Sequence, residues 1–262
     1  MKYPEIDFSA FKGRTKKLEE VIRYHAYVPM FYRSNLVTHT TRMLWMLESL
    51  IPTVQEYFPD FNVALARTMA LVHDDHEMDP VLGDVQFGHK LLMTPEEKRQ
   101  LKIAEEAARR KVASWFPETV NGFSYLALME AYEHQDGTQI EPTIIKLLDK
   151  FDAFGEALHE LYAGNRIFAT AAKGMAMDPP RTFVIVLTNF ARDYPILAPL
   201  FANASHPLFV VPSVINPENI SGAGTVHTPE NIIQEKGYLH YDLWRSIVLS
   251  RGGIDMLVQK KE

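Results

Sequence analysis

The fold of this chain is decided by the stretch Met69-Ala-Leu-Val-His-Asp-Asp-His-Glu-Met-Asp-Pro-Val-Leu-Gly-Asp84, where an apolar run ends in five residues that can ionise or bind a metal. If the run continues as a helix, Glu77 lies four residues after His73 and three after Asp74, so the three side chains share one face. A buried cluster of this kind needs ion-pair partners or a metal. An imidazole beside a carboxylate suits a divalent transition metal, and a further carboxylate suits a base. The alternative is that the acidic residues only mark a helix end and a solvated loop.

Composition limits the class of protein. The chain has 262 residues, of which 47% are hydrophobic, enough for one large core or for a core domain with an extension. It has no cysteine, so a metal could be held only by histidine, aspartate and glutamate. A net charge of -6 without a block of lysine or arginine argues against nucleic-acid binding. No apolar run is long enough to cross a membrane or to act as a signal peptide, so we expect a soluble cytoplasmic protein with no membrane partner.

The spacing of apolar residues predicts an all-α protein. Pro52 and the stretch 57–60 are expected to end the second helix, and Thr94-Pro95 has the cap and the proline of a helix start. We expect helices over residues 14–26, 36–50, 61–73, 94–116, 124–135 and 141–162. The charged residues of the helix that starts at Thr94 are expected to be solvated: Lys98, Arg99, Lys102, Glu105, Glu106, Arg109 and Arg110.

The helical pattern weakens after Gly164. Prolines limit the helix length of the apolar residues 181–202, and the prolines and glycines of residues 203–237 predict irregular structure. Within that segment a short strand is expected over residues 208–211. A final helix over residues 241–249 is expected to pack back onto the core. The histidines of this part of the chain are expected to be surface or structural residues: His227 and His240.

Two further helices carry polar residues at positions that should be buried. His39 lies on the apolar stripe of the second helix, where it is either a ligand or a hydrogen-bonded core histidine. Asp149 and Asp152 lie three residues apart in an apolar helix, and at least one of them should face inward. The alternative is that Asp149 or Asp152 forms an ion pair with Lys146 or Lys150 at the surface. If Asp149 is a ligand, Asp152 is expected to support the site without binding the metal.

Together these residues resemble the HD-domain metal-dependent phosphohydrolase superfamily, and within it the bacterial 5'-deoxyribonucleotidase-like branch. The resemblance covers roughly residues 15–165. It is carried by Val37-Thr-His39, by His73-Asp-Asp-His-Glu77 followed by Gly83-Asp84, and by Lys146-Leu-Leu-Asp-Lys-Phe-Asp-Ala153. It implies an HD-domain helical bundle as the catalytic core over residues 1–165, with residues 166–262 as a partly irregular extension packed on it.

The resemblance also implies roles for individual residues. It implies that four side chains bind one divalent metal ion: His39, His73, Asp74 and Asp149. Glu77 occupies the position of the glutamate that acts on the attacking water, and Asp84 that of the aspartate that holds the sugar. The Arg-Trp pair of the family appears here as Arg23-Tyr24. We expect Arg23 or Arg33 to supply the cation for a phosphate group.

The function expected from this resemblance is removal of the 5'-phosphate from (deoxy)nucleoside monophosphates by a metal-dependent phosphohydrolase. The alternatives are a dNTP triphosphohydrolase, a nucleotide-binding HD regulatory protein without turnover, and a structural protein whose C-terminal part covers a partner. The expected cofactor is one divalent ion among Co, Mn, Fe, Ni, Zn and Mg. The expected partner is a small-molecule nucleotide, and a homodimer is left open.

The local charge favours a monophosphate over a triphosphate, because each additional phosphate group needs positively charged donors. The segments expected around the metal contain these cations: Arg33, Arg42, Lys90, Lys146 and Lys150. The same segments contain these acids, which would repel a long anionic tail: Asp75, Asp79, Asp84, Asp136 and Glu141.

Overall fold

The computed structural model describes residues 6–24, 30–85, 90, 93–133, 137–165, 179–211 and 239–252. Helices make up most of this part of the chain, which confirms the all-α prediction. The α-helices are α1 Arg14–Glu20, α2 Leu36–Tyr57, α3 Val63–Val72, α4 Pro95–Ala113, α5 Tyr125–Glu133, α6 Ile140–Tyr162, α7 Pro179–Asp193, α8 Ala198–Asn203 and α9 Leu239–Ser250. Short 3-10 helices cover Asp75–Met78, Pro195–Leu197 and Pro207–Phe209.

The two longest helices, α2 and α6, pack against each other in the middle of the bundle. Met43, Leu47 and Leu50 of α2 share one buried apolar core with Ile144 of α6. Fully burying a side chain of this size is worth about 1.5–3 kcal/mol, so this stripe fixes the rotation of α2. His39 lies one turn before Met43 on the same stripe, and the packing of α2 therefore carries His39 into the interior.

Helix α2 runs to Tyr57, so the expectation that it ends near residue 50 is wrong. Pro52 is exposed, and its ring faces away from the core. A proline inside a helix costs about 3 kcal/mol because it removes one backbone hydrogen bond. Ile51 and Val54, on either side of it, are buried in the core, and their burial offsets this cost.

The chain also leaves α-helical geometry at the end of α3. That helix ends at Val72, and after His73 and Asp74 the chain forms the 3-10 helix Asp75–Met78. The predicted end of this helix at the acidic cluster is therefore confirmed, and the α-helix does not continue through Glu77. Glu77 nevertheless stays next to Asp74, because its backbone N–H donates to the carbonyl of Asp74 over 2.9 Å.

Helix α4 begins as predicted, with Thr94 and Glu97 forming a capping box. The prediction for its charged face is wrong at two positions. Glu105 and Arg109 are buried, with Arg109 only 1% exposed. They lie beside Ala108 and Val112 on the face that packs against the 3-10 helix Asp75–Met78. Before α5 the chain forms a short hairpin that pairs Thr119–Val120 with Phe123–Ser124.

The described parts of the C-terminal region pack on the bundle. The predicted strand over residues 208–211 is wrong, because Pro207–Phe209 is a 3-10 helix whose first turn is capped by the His206 ring. The predicted final helix is confirmed as α9, and its Trp244 is fully buried in the main core. His240 is buried, which fits a structural role, whereas His227 lies outside the described residues. The division into residues 1–165 and 166–262 stays a prediction.

Among the described residues, no helix combines the length and the apolar character that crossing a bilayer requires.

Candidate metal centre

Three helices bring the four predicted ligand residues to one point. His39 comes from the first turn of α2, His73 and Asp74 from the end of α3, and Asp149 from the middle of α6. One nitrogen or oxygen atom of each residue lies within 4.8 Å of the corresponding atoms of the other three. The four residues are buried, at 8% exposure or less. The structure therefore assembles the predicted set from segments that are far apart in the sequence.

The distances within this set fit one metal ion. Nε2 of His39 lies 3.4 Å from Nε2 of His73 and 3.5 Å from Oδ1 of Asp149. Nε2 of His73 lies 3.2 Å from Oδ2 of Asp74. Two ligand atoms bound to one transition metal at about 2.0–2.2 Å are themselves separated by roughly 3.0–3.5 Å. The site therefore needs no rearrangement of the backbone to take an ion.

The hydrogen bonds of the two imidazoles support the same interpretation. Nδ1 of His39 lies 2.8 Å from Oδ2 of Asp152, and Nδ1 of His73 lies 3.1 Å from the carbonyl of Ala70. Both partners only accept hydrogen bonds, so each Nδ1 carries the proton and each Nε2 presents a lone pair. Two such nitrogens that face each other at 3.4 Å call for a cation between them, either a proton or a metal ion. Ligands of this tautomer, fixed by a carboxylate or a carbonyl, are typical of metal-binding histidines.

The charges around the set also favour a cation. Burial lowers the pKa of His73, but the carboxylates of Asp74 and Asp149 outweigh it and leave that pKa raised. Burial raises the pKa of Asp149, but the ammonium group of Lys150 and the two histidines hold it below its usual range. A proton on His73 and a metal ion compete for this position, so metal binding should release protons.

Asp149 and Asp152 are both buried, and their surroundings differ. Asp149 accepts hydrogen bonds from Tyr132 Oη at 2.9 Å and from Lys150 Nζ at 2.6 Å while Oδ1 faces His39. Asp152 accepts from Arg42 Nε at 2.7 Å and from Arg42 Nη2 at 2.8 Å. Asp149 does form the alternative ion pair with Lys150, whose side chain is 38% exposed, whereas Asp152 pairs with Arg42 in the interior. The geometry fits the expectation that Asp152 supports His39 without contacting the metal.

Arg42 is a residue of this site that the sequence did not reveal. It was counted only as a nearby cation, yet it is 1% exposed and joins Asp152 to Glu156, which accepts from Nη2 at 2.9 Å. Its spacing carried a signal, because Arg42 lies one turn after His39 and one residue before the buried Met43. An arginine at that position must be paired inside the protein.

The predicted substrate residues lie beside the ligand set, with one exception. Arg23 is buried, with Nη1 4.0 Å from Oδ2 of Asp74 and Nε 3.5 Å from Glu156. The backbone N–H of Tyr24 donates to Oδ2 of Asp84 over 3.0 Å, which brings these two residues together. Arg33, by contrast, is exposed, and we find no hydrogen bond or ion pair for it among the described residues. Of the two arginines expected to supply a cation for the phosphate, Arg23 is therefore the one beside the ligands.

Glu77 lies close to two other carboxylates. Its Oε2 is buried without a hydrogen-bond partner among the described residues. Burial, reinforced by the charges of Asp74 and Asp84, raises the pKa of Glu77 well above its ordinary value. Glu77 is therefore near both the ligand set and the residue expected to hold the sugar, as a group that moves protons must be.

Arg109 is a second residue whose role the sequence did not reveal. All three of its guanidinium nitrogens are buried without a hydrogen-bond partner among the described residues. It lies near the imidazole of His76. Burial lowers the pKa of His76; the charge of Asp74 opposes this shift, and the charge of Arg109 reinforces it. A buried cation without a partner is unusual in a folded protein and often marks a binding site. The signal was the spacing of Ala108 and Val112, which places Arg109 on the buried face of α4.

Three of the five acids expected to surround the metal are instead engaged elsewhere, whereas Asp84 lies near Glu77. Asp75 is fully buried and bound by Arg14 at 2.6 Å and by Tyr125 Oη at 2.6 Å. Asp79 accepts two bonds from Lys111, and Glu141 accepts from a backbone N–H at the start of α3. Asp136 lies outside the described residues. Repulsion by Asp75, Asp79 and Glu141 is therefore not a sound argument about the substrate.

A helical bundle that gathers a histidine, a His-Asp pair and a later aspartate at one buried point defines a phosphohydrolase of the HD superfamily. More specifically, residues 10–181 match the family model described as 5'-deoxynucleotidase YfbR-like, and the chain belongs to this family.

A curated relative extends the comparison. The chain is 28% identical over 140 residues to "5'-deoxynucleotidase VP0926" of Vibrio parahaemolyticus serotype O3:K6 (strain RIMD 2210633), which covers 53% of this chain and 69% of the relative. The comparison with solved structures found no match.

Proposed function

We propose that this protein is a metal-dependent 5'-nucleotidase that removes the phosphate from (deoxy)nucleoside 5'-monophosphates. The observation that carries the proposal is the convergence of four buried ligand atoms within 4.8 Å, two of them imidazole nitrogens with free lone pairs. The family and the relative, both described as 5'-deoxynucleotidases, support a nucleotide as the substrate.

The ligand set leaves room for substrate chemistry. His39, His73, Asp74 and Asp149 would hold the ion, and their two imidazoles and two carboxylates suit Co, Mn, Fe, Ni or Zn better than Mg. When bound, such an ion acts as a Lewis acid toward a phosphate oxygen and lowers the pKa of a water ligand.

Glu77 is the group proposed to move the proton. It lies between the ligand Asp74 and the sugar-side residue Asp84, whose charges both act on it. From this position it can take a proton from the attacking water or give one to the 5'-oxygen that leaves the phosphate. No covalent intermediate with the protein is required, and the chain has no cysteine to form one.

Arg23 and Asp84 are proposed to bind opposite ends of the nucleotide. The Arg23 guanidinium, 4.0 Å from Asp74, can bind a phosphate oxygen with a charge-assisted hydrogen bond. Asp84 is fixed by the N–H of Tyr24, and its carboxylate can accept a hydrogen bond from a sugar hydroxyl. Since Tyr24 follows Arg23 directly, the two contacts are coupled through one peptide.

Most cations near the site already have partners, which supports a monophosphate. Lys150 is bound to Asp149 at 2.6 Å, and Lys90 to Glu105 at 2.9 Å. One observation favours a second candidate, a dNTP triphosphohydrolase. Arg109 is buried and without a partner among the described residues, and it could bind an additional phosphate.

Product analysis under one set of metal conditions tests the proposal. The purified protein, stripped with a chelator and reloaded in turn with each divalent ion, is incubated with deoxynucleoside and ribonucleoside monophosphates and with dNTPs. We expect inorganic phosphate from monophosphates and little product from dNTPs. Triphosphate release with inert monophosphates would establish the second candidate, and tight nucleotide binding without turnover would establish a regulatory protein.

A double variant, His73→Ala with Asp74→Ala, is the control for the metal. We expect it to lose both the bound metal and the activity while its circular dichroism stays helical. Full metal content in this variant would show that the ion binds elsewhere.

A further inference from the structure

The last described helix reaches the residue that supports the metal ligand His39. Trp244, in the middle of α9, donates from its indole Nε1 to Oδ1 of Asp152 over 2.8 Å. Both side chains are completely buried. The family match ends at residue 181, so Trp244 comes from a part of the chain that the family model does not cover.

Helix α6 has a gap that fits this indole. A Cβ atom at Gly155 would lie 2.2 Å from two atoms of the Trp244 ring, which is far closer than packed atoms approach. The ring also lies 5.8 Å from the guanidinium of Arg42 and stacks on Tyr241, with centroids 6.1 Å apart. The absence of a side chain at Gly155 therefore lets the Trp244 ring lie directly against α6, and the neighbouring groups hold the ring in place.

With Trp244, every acceptor position of the Asp152 carboxylate is used. Oδ1 accepts from Arg42 Nε and from Trp244 Nε1, and Oδ2 accepts from Arg42 Nη2 and from His39 Nδ1. A carboxylate with four donors cannot rotate without breaking a bond. Its orientation in turn fixes the ring of His39 and keeps the proton of that ring on Nδ1.

We propose that Trp244 is a positioning residue for the metal centre, acting through Asp152 on His39. The inference rests on the proposed metal-dependent function, because it concerns a ligand of that metal. It gives the C-terminal extension a definite part in the site: without the indole N–H, Asp152 can turn toward Arg42 and His39 loses its fixed orientation. The affinity for the metal should then fall although all four ligands remain.

The substitution Trp244→Phe tests this, because it removes the N–H and keeps an aromatic ring in the gap. Titration of the chelator-stripped protein with Co²⁺ or Mn²⁺ gives the dissociation constant directly. Loss of a group that orients a metal ligand typically weakens binding by about 10–100-fold, and we expect a decrease in that range. The absorption spectrum of the Co²⁺ protein should change as well, since it reports the ligand geometry.

Tyr241→Phe is the matched control. Tyr241 lies on the same helix, and the substitution removes one partly buried hydrogen bond, between its hydroxyl and Nδ1 of His159 at 2.9 Å. No hydrogen bond joins Tyr241 to Asp152 among the described residues. Both variants should lose a similar amount of thermal stability, and only Trp244→Phe should lose metal affinity. Equal metal affinity in Trp244→Phe and wild type would overturn the proposal.

Gly155→Ala provides a second variant that leaves Trp244 in the chain. The added methyl displaces the indole from Asp152, so the loss of metal affinity should match that of Trp244→Phe. If only Gly155→Ala lowers the affinity, packing rather than the N–H matters and the proposal is wrong. If wild type itself binds no divalent ion, the proposed function fails first, which the same titration shows.

Discussion

Three of the four proposed ligands of the candidate metal centre owe their state to a neighbour that is not itself a proposed ligand. His39 depends on Asp152, His73 on the carbonyl of Ala70, and Asp149 on Tyr132 and Lys150. These partners fix tautomers and rotamers before any ion arrives, so binding does not have to order the side chains. The consequence is that two chemically identical substitutions in α6 should have different effects.

The variants Asp149→Asn and Asp152→Asn should distinguish a residue that binds the metal from one that supports the ligand His39. In Asp149→Asn we expect the metal to be lost and the metal-free protein to lose less stability than Asp152→Asn does, because Lys150, the charged partner of Asp149, is partly exposed and can be solvated. In Asp152→Asn the metal should bind weakly and the metal-free protein should lose about 3–5 kcal/mol, because the buried Arg42 loses its main partner. Metal analysis and urea unfolding measure the two effects. Loss of metal in Asp152→Asn together with retention in Asp149→Asn would exchange their roles.

Glu77→Ala should retain the metal and lose turnover. Glu77 is not needed to complete the four-ligand set, and general acid–base assistance is typically worth about 10²–10⁴-fold in rate. We therefore expect kcat to fall by a factor in that range, with unchanged metal content and thermal stability no lower than that of wild type. An unchanged kcat would assign the proton transfer to another group, with His76 and Glu133 as the next candidates.

At the scale of elements, the sequence predicted the helices well where the helical spacing of apolar residues was clear. The stripe of α2 and the long apolar run of α6 predicted both helices, the inward direction of His39, and the burial of at least one of Asp149 and Asp152. Errors arose where tertiary burial outweighed a local signal. Pro52 does not end α2 because its neighbours are core residues. In α4 the many charges predict a fully solvated charged face, but Glu105 and Arg109 are buried.

The burial of Arg109 in α4 leads to a testable prediction about stability. We expect Arg109→Met to raise the free energy of unfolding by about 1–3 kcal/mol, because it removes a buried donor group without partners among the described residues. The same change should raise KM, since a cation kept at that cost is expected to bind substrate. Thermal melts and steady-state kinetics test both.

The control for Arg109→Met is Arg110→Met on the exposed face, where the salt bridge to Glu106 is worth little. A destabilised Arg109→Met protein with unchanged KM would show that Arg109 has a structural partner outside the described residues.

At the scale of the whole molecule, the part that the sequence could not predict is how the C-terminal region joins the bundle. A final helix packing on the core was predicted, but nothing in the spacing of residues 239–250 indicates a contact with Asp152. That contact joins residues 92 positions apart, and it depends on a glycine whose need for space shows only in the folded chain. The ligand set was predictable because each member lies in a recognisable motif, whereas Trp244 lies in none.

The same helix should make the stability of the protein depend on pH through His240. Burial lowers the pKa of His240 to about 4, although the backbone of residues 207–210 opposes the shift, and His206 lies close enough to lower it further. In the unfolded chain the pKa is about 6.5. Above that value both states are neutral and His240 has no effect. As the pH falls from 6.5 toward 4, the unfolded chain binds a proton that the folded protein does not, so stability is lost.

A comparison of wild type with His240→Phe isolates this effect. Urea unfolding of the metal-free proteins at several pH values between 5 and 6.5 gives the change of unfolding free energy with pH for each protein. The contributions of titratable groups common to both proteins cancel in the difference between these slopes. We expect wild type to lose up to about 1.4 kcal/mol more per pH unit than the variant, the limit for one proton. Parallel slopes would mean that His240 is reached by protons in the folded state, so that the packing of α9 on Pro207–Phe209 opens before the bundle unfolds. Because α9 also carries Trp244, such an opening would remove the indole from Asp152 in mild acid, and the metal affinity of wild type would fall over the same pH range.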